Sequence, residues 1–163
     1  MYRIGASQDI HRLESNGRTL VIGGVKLPFD KGPVSHSDGD VLYHAIAESF
    51  LGALSLGDLG THFPDNDNTY KDMDSSIILK LSYELVYKLG YELVNLDASI
   101  IIEKPKLKDH ILKMRQNIAD LLNVSIDMIS VKAQTNEKCG EIGNGEAMMA
   151  TCSLLVKKRI WKK

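Results

Sequence analysis

The stretch AMMATCSLLVKK at positions 147–158 decides the fold class. Its first ten residues, like SIII at 99–102, are nearly apolar at both odd and even positions, a pattern typical of a strand that is covered on both faces. It follows a second strand pattern, ISVKAQTNE at 129–137, across the Gly-rich loop CGEIGNGE. A closing pair of strands favours a mixed sheet over a purely parallel one.

Upstream of this pair, strand and helix patterns are interleaved. Apolar residues at helical spacing predict three helices, and shorter apolar runs predict three further strands. The first predicted helix runs from a start at Ser37 to Gly57 and the third covers 107–122. The second runs from Ser75 to Leu89, with Ile77, Ile78, Leu81, Leu85 and Leu89 on its apolar face. The predicted strands cover 2–11, 19–28, where Gly23-Gly24 indicates a bulge or a hairpin, and 95–103, and 58–74 is a predicted loop. The order predicts an α+β fold with a ferredoxin-like mixed sheet and helices on one face.

Three helices on one face leave the other face of this apolar sheet uncovered. A homo-oligomer with its sheets turned inward is the simplest way to hide that face.

The composition is that of one soluble globular domain covering 1–163. Twenty basic and 21 acidic residues give a net charge of −1, which argues against nucleic-acid and membrane partners. The two cysteines, Cys139 and Cys152, form no disulfide framework, and the N-terminus begins as a strand rather than a targeting peptide. We therefore expect a cytoplasmic enzyme of bacterial type, with a plastid location only if a transit peptide was removed.

The segment SHSDGDVLYHA at 35–45, taken with Asp9 and His11, suggests a metal site. Asp9 and His11 share one face of a strand because side chains at i and i+2 do. His44 lies one turn after Asp40 on the predicted helix, whose start at Ser37 has the form of a capping box. One carboxylate and two imidazoles are a three-ligand catalytic zinc set with an open fourth position. An ordinary strand edge and an acidic helix start would explain every one of these residues except His44.

Other polar clusters allow a functional and an ordinary explanation. His36, Ser37 and the helix start could bind an anion, and Thr135 with Glu137 could bind a phosphate–Mg²⁺ unit or simply end a strand. Asp58, Asp65 and Asp67 are mostly turn formers. They are not an EF-hand, since Tyr70 stands where the loop needs Gly.

Five motifs together resemble one family along nearly the whole chain. These are D-I-H, H-S-D-G-D-V-x-x-H-A, G-D-L-G-x-x-F-P-D, E-K-P-K and A-Q-T-N-E-K. In this order they resemble the 2-C-methyl-D-erythritol 2,4-cyclodiphosphate synthase family. The resemblance implies a homotrimer with sheets facing the threefold axis and active sites between subunits. It also implies cyclisation of a cytidine diphosphate substrate, 4-diphosphocytidyl-2-C-methyl-D-erythritol 2-phosphate, with release of CMP.

The resemblance also implies a role for each matching residue. Zn²⁺ (or another divalent transition metal) would be held by Asp9, His11 and His44, and Mg²⁺ or Mn²⁺ on the diphosphate would be reached by Glu137. His36 and Thr135 would be catalytic, stabilising the transition state and holding the diphosphate. The implied substrate-binding residues are Ser37, Asp58, Gly60, Phe63, Asp65, Asp67, Ile102, Pro105, Lys106, Ala133 and Gln134.

Some positions depart from the family pattern, namely Ser7, Gln8, Gln134, Glu141 and Asn144. The last two put in doubt a phosphate or isoprenoid-diphosphate ligand on the trimer axis. Two other functions remain open on the residues alone: a metal-dependent phosphohydrolase acting on nucleotides, and a non-catalytic trimeric protein that senses a cytidine nucleotide.

Overall fold

The computed structural model describes residues 1–64 and 73–160. The strands are β1 (Tyr2–Glu14), β2 (Leu20–Ile22), β3 (Val25–Leu27), β4 (Gly32–Val34), β5 (Tyr91–Ile101), β6 (Ile129–Gln134) and β7 (Ala147–Lys158). The helices are α1 (Val41–Ala53), α2 (Leu59–His62), α3 (Ser75–Lys88), α4 (Ile111–Leu122) and α5 (Gly140–Gly143), with single 3₁₀ turns at Lys108–His110 and Ile126–Met128.

Five strands form a mixed sheet in the order β4-β1-β7-β5-β6. The closing strand β7 lies at its centre, antiparallel to both β1 and β5, whereas β5 and β6 are parallel. A parallel pair needs a crossover connection, and α4 supplies it. The predicted α+β class is confirmed, but the ferredoxin-like pattern is wrong, because that pattern is β-α-β-β-α-β and here both helical connections precede β6. Of the two predictions for 19–28, a bulge or a hairpin at Gly23-Gly24, the structure has the hairpin, formed by β2 and β3.

The three long helices pack on one face of the sheet, as predicted. α1 lies on β1 and β7, α3 on β5, and α4 on β6. The approach of α1 to β1 is close enough to require glycine at position 5, where a Cβ would stand 1.9 Å from the carbonyl oxygen of Ser49. The single hydroxyl hydrogen of Ser49 is shared between the carbonyl oxygens of Ala45 in the same helix, at 2.8 Å, and of Cys152 in β7, at 3.2 Å, so α1 also contacts the central strand.

The predicted start of the first helix at Ser37 is wrong. The helix begins at Val41 with Asp40 as its N-cap, accepting from the Tyr43 backbone N–H at 3.1 Å. The reason is Gly39, whose φ of +76° cannot belong to a right-handed helix. The helix also ends at Ala53, before Gly57.

The structure corrects two further predictions, the buried face of α3 and the loop over 58–74. The buried face of α3 carries Ser75, Ile78, Leu79, Ser82 and Val86, whereas Ile77, Leu81 and Leu89, predicted to be core residues, are exposed. In its described residues, 58–64 and 73–74, the predicted loop over 58–74 contains one short helix, α2.

The face of the sheet opposite the long helices is mixed in polarity. Its central rows pair Ile4 with Leu155, Ala6 with Ser153, and Ile10 with Met149. Short helix α5 covers one end, where Ile142 packs on Ile101 and Ala147. Ile4 and Ile10 stay 73% and 57% exposed in one chain, so an apolar part of this face has no cover within it.

Candidate active site

Asp9, His11 and His44 converge where α1 crosses β1. Asp9 Oδ2 lies 3.0 Å from His11 Nε2 and 3.0 Å from His44 Nδ1, and the two ring nitrogens are 3.2 Å apart. The predicted juxtaposition of the three side chains is therefore confirmed. It arises because alternate residues of β1 face α1, and the close contact at Gly5 brings the helix within reach.

This triangle of atoms fits a small divalent ion. Ligands about 2.0–2.1 Å from a tetrahedral zinc ion lie roughly 3.3 Å from one another, close to the three separations found here. The side chains of His11 and His44 are only 13% and 11% exposed, so the donor atoms sit in a shielded site. The donor set and its spacing suit a divalent transition metal with a free coordination position.

The charges in this triad are coupled. Burial disfavours an ionised Asp9, but hydrogen bonds from His11 and His44 outweigh it and hold the pKa of Asp9 well below its usual range. Burial also disfavours a charge on His44, but the bond to Asp9 outweighs it and raises the pKa of His44. A metal ion must therefore displace a proton from the imidazole pair, which makes its affinity depend on pH.

Asp40 anchors the start of α1 and closes it to outside anions. Its carboxylate accepts the backbone N–H groups of Gly23, Gly24 and Tyr43 at 2.9, 2.8 and 3.1 Å. Complete burial raises the pKa of Asp40 to about 6, against the opposing effect of these three bonds. Because Asp40 occupies the helix terminus, the predicted anion site at a helix start is wrong, although Ser37 and His36 still border the metal triad.

A cavity of about 350 Å³ opens over the triad. It is lined by His11, Ser35, His36, Ser37, His44, Leu59, Gly60, Phe63 and Ile78. Its loop over 35–37 is held by Arg18, whose guanidinium donates to the Ser35 carbonyl oxygen at 2.6 Å and to that of Ser37. The sequence offered no sign of this role, since Arg18 lies in a turn far from the loop.

Several predicted substrate residues meet this cavity and others do not. Gly60 and Phe63 line it. Asp58 instead caps α2, accepting from the backbone N–H and the hydroxyl of Thr61 at 2.8 and 2.6 Å. Asp65 and Asp67 lie outside the described residues.

A second cavity, of about 460 Å³, lies beyond the carboxyl ends of β5 and β6. It is lined by Ile102, Glu103, Pro105, Lys106, Leu107, Lys108, Ile111, Val131, Lys132, Ala133, Gln134 and Thr135. The six residues between positions 102 and 135 that were predicted to contact the nucleotide and its diphosphate therefore all line this one cavity. Thr135 donates to Glu137 at 3.2 Å, so the predicted diphosphate pair is also in contact.

Glu103 shapes the loop that carries this pair. Its carboxylate accepts the backbone N–H groups of Asn136 and Lys138 at 2.8 and 3.2 Å. Glu137 and Lys138 both have positive φ, and two bonds to one carboxylate hold that turn. Glu103 is the first residue of the E-K-P-K motif, but the sequence carries no sign of this function, because the contact spans more than thirty residues.

The two cavities share no lining residue. In the sheet, Gln134 of the second cavity lies in the same row as Ile10, the strand neighbour of Asp9 and His11. Strands β5 and β7 stand between them, which makes three strand spacings or about 14 Å.

The matches to known proteins include the residues of both cavities. A family model described as the YgbB family matches residues 2–157. The 2-C-methyl-D-erythritol 2,4-cyclodiphosphate synthase of Geobacillus sp. (strain WCH70) is 50% identical over 159 residues, which cover 98% of this chain and 100% of the relative. The protein of the same name from Chloroherpeton thalassium is 51% identical over 156 residues, 96% and 99% of the two chains.

Solved structures agree with these sequence relatives. The bifunctional IspDF from Campylobacter jejuni superposes with a TM-score of 0.95 at 39% identity; the match covers all of this chain but only 44% of that one. IspF of Plasmodium falciparum, solved as a CDP complex, gives a TM-score of 0.86 at 37% identity over 98% and 97% of the two chains.

Proposed function

The chain belongs to the YgbB family, and from that premise we propose how its own residues carry out the reaction of 2-C-methyl-D-erythritol 2,4-cyclodiphosphate synthase. The enzyme converts 4-diphosphocytidyl-2-C-methyl-D-erythritol 2-phosphate to 2-C-methyl-D-erythritol 2,4-cyclodiphosphate and CMP, a step of non-mevalonate isoprenoid precursor synthesis. The observation that carries the proposal is the convergence of Asp9, His11 and His44 beneath an open cavity.

The reaction is an intramolecular displacement at phosphorus. An oxygen of the substrate's 2-phosphate forms a bond to the β-phosphorus of the diphosphate, and the bond from that phosphorus to the CMP oxygen breaks, with CMP keeping the electron pair. No protein nucleophile is required, so the task of the chain is to fold a flexible polyanion until its two phosphates meet. Positioning of this kind can supply roughly 7–11 kcal/mol of the barrier.

Asp9, His11 and His44 would hold a divalent ion, which we propose to be zinc. When bound, such an ion withdraws negative charge from phosphate oxygens and orients them. A Mg²⁺ or Mn²⁺ ion on the diphosphate would be reached by Glu137. The hydrogen bond from the Thr135 hydroxyl to Glu137 supports the proposal that both residues act at the diphosphate.

The chain's own donors would surround the phosphates. His36 is exposed at the mouth of the 350 Å³ cavity, and Ser37 borders its floor, so both can donate to the 2-phosphate. The methylerythritol would lie against Gly60 and Phe63. By the family resemblance Asp58, Asp65 and Asp67 would also bind it, although Asp65 and Asp67 lie outside the described residues. His36 and Thr135 would donate to the negative charge that develops in the transition state.

The cytidine would enter the 460 Å³ cavity. Its walls combine the apolar Ile102, Pro105 and Ala133 with the polar Lys106 and Gln134, which suits an aromatic base on a polar sugar. Solved relatives with bound CDP support a cytidine nucleotide here.

We further propose that three copies assemble with their open sheet faces around a threefold axis. The exposed Ile4 and Ile10 on that face support burial by other copies. The separation of the two cavities within one chain supports a site completed between neighbouring subunits. At one end of this face Arg12, Glu14, Glu141 and Glu146 line a depression, whose acidic excess disfavours an anionic ligand on the axis.

One assay separates this function from its two rivals. Purified protein with zinc, Mg²⁺ and the diphosphocytidyl phosphate substrate should release CMP, followed by phosphorus NMR, and leave a cyclic diphosphate without oxygen from ¹⁸O-labelled water. A labelled, open-chain product would identify a phosphohydrolase. Tight CDP binding without turnover would identify a nucleotide sensor.

A further inference from the structure

The two ring nitrogens of His44 face different surroundings. Nδ1 points to Asp9 and His11. Nε2 lies 2.9 Å from the hydroxyl oxygen of Ser75 and 3.2 Å from that of Ser37. Ser75 is fully buried at the first position of α3, 31 residues along the chain from His44. The buried hydroxyl of Ser75 therefore contacts the ring nitrogen of His44 that faces away from the proposed metal site.

Ser75 is itself held by a carboxylate. Its hydroxyl donates to Asp38 Oδ1, and its backbone N–H donates to Asp38 Oδ2 at 3.1 Å. Asp38 is fixed in turn, since its N–H donates to the carbonyl oxygen of Met73 at 3.3 Å and its carboxylate accepts the N–H of Asp40 at 3.1 Å. The result is a chain of contacts from Asp38 through Ser75 to His44.

The direction of the hydrogen bonds in this chain follows from the donors available. A carboxylate only accepts, so the single hydroxyl hydrogen of Ser75 is committed to Asp38. The Ser75 oxygen can then only accept from His44, which places the ring hydrogen on Nε2. Metal binding requires a neutral imidazole, and the neutral tautomer with its hydrogen on Nε2 leaves a lone pair on Nδ1, the atom that faces Asp9 and His11.

We propose that Asp38 and Ser75 are positioning residues that hold His44 in the tautomer and orientation in which Nδ1 binds the metal. Histidine ligands commonly donate their second N–H to a carboxylate or carbonyl, and here a serine hydroxyl stands between the imidazole and the carboxylate. The inference rests on the proposed metal site and extends it to two residues that touch neither metal nor substrate.

Ser37 does not replace this arrangement. Its hydroxyl oxygen accepts the backbone N–H of Gly39 at 3.1 Å and lies 3.3 Å from the hydroxyl of Ser35. Within the described ranges none of its hydrogen-bond partners is a carboxylate. Ser37 therefore stabilises the 35–37 loop. The carboxylate that sets the direction of the hydrogen bonds to His44 is that of Asp38, and it acts through Ser75.

The test compares metal affinity among four variants. Zn²⁺ dissociation constants are measured by competition with a chelator, and the visible spectrum of the Co²⁺-loaded protein reports the ligand field directly. Ser75→Ala removes the acceptor for Nε2–H and should weaken Zn²⁺ binding about 10–100-fold. Asp38→Asn supplies an amide donor that can reverse the Ser75 hydroxyl and favour the wrong tautomer, so it should weaken binding at least as much. Ser75→Thr keeps the hydroxyl and should restore affinity and spectrum.

Ser82→Ala is the matched control. Ser82 is a fully buried serine on the same face of α3, and its hydroxyl has no hydrogen-bond partner among the described residues. The same substitution there should leave the Zn²⁺ constant and the Co²⁺ spectrum at wild-type values.

A Zn²⁺ constant for Ser75→Ala equal to that of Ser82→Ala, with an unchanged Co²⁺ spectrum, would overturn the inference. If Ser75→Ala does not fold, Asp38→Asn decides on the same criterion. Wild-type protein that binds zinc but releases no CMP would refute the proposed function alone, since the comparison of affinities stands without turnover.

Discussion

Oδ2 of Asp9 lies 3.0 Å from Nδ1 of His44, joining the first strand of the sheet to the helix that crosses it. The two residues are 35 positions apart, and their contact exists because α1 lies unusually close to β1. The proposed metal site therefore depends on the backbone packing beneath it.

Gly5→Ala should separate the two ligands. The added Cβ would stand 1.9 Å from the Ser49 carbonyl oxygen, so α1 must shift, at a cost of about 1–3 kcal/mol in the free energy of unfolding. Zinc affinity should fall with it. Gly52→Ala on α1 is the control: nothing lies within 4 Å of the new Cβ, and alanine favours a helix by about 0.8–1 kcal/mol. Denaturant unfolding and zinc titration measure both. Equal stability of the two variants would contradict this account of the packing.

The metal triad could be predicted because its signals are local. Asp9 and His11 share a strand face at i and i+2, and His44 has no role in the helix-start explanation. Ser75 and Arg18 could not be predicted, since each acts on residues that are close only after folding. The predicted buried face of α3 was wrong because the side that is buried includes two serines. Apolar periodicity therefore selected Ile77 and Leu81 instead.

Ile4→Glu tests the proposed trimer. Ile4 is 73% exposed on the open sheet face, so the isolated chain should tolerate a charge there while three packed copies should not. Sedimentation equilibrium should give the mass of one chain, with CMP release lost and zinc binding kept, because all three ligands come from a single chain. Leu112→Glu, at a 67% exposed leucine on α4, should keep the trimer mass and the activity. A trimer in both variants would refute the proposed interface.

Ala133→Leu tests the nucleotide cavity. The larger side chain would project into the 460 Å³ space that we assign to cytidine. Calorimetry should show CDP binding about 5- to 150-fold weaker, since overpacking by bulky groups costs about 1–3 kcal/mol. Zinc content should not change, because the triad lies at the other cavity. Undiminished CDP affinity would place the nucleotide elsewhere.

The two cysteines should differ in reactivity. Burial raises the pKa of the Cys152 thiol to about 12, so almost no thiolate, the reactive form, exists there at pH 8. Cys139 is exposed. Iodoacetamide followed by mass spectrometry should find one modified cysteine in folded protein and two in urea. Rapid labelling of Cys152 in folded protein would contradict its place beneath α1.

The most direct test of the central claim is the metal content and turnover of His44→Ala. The account predicts a folded protein that carries no zinc by elemental mass spectrometry and releases no CMP. Near-normal CMP release from a verified metal-free His44→Ala protein would contradict it.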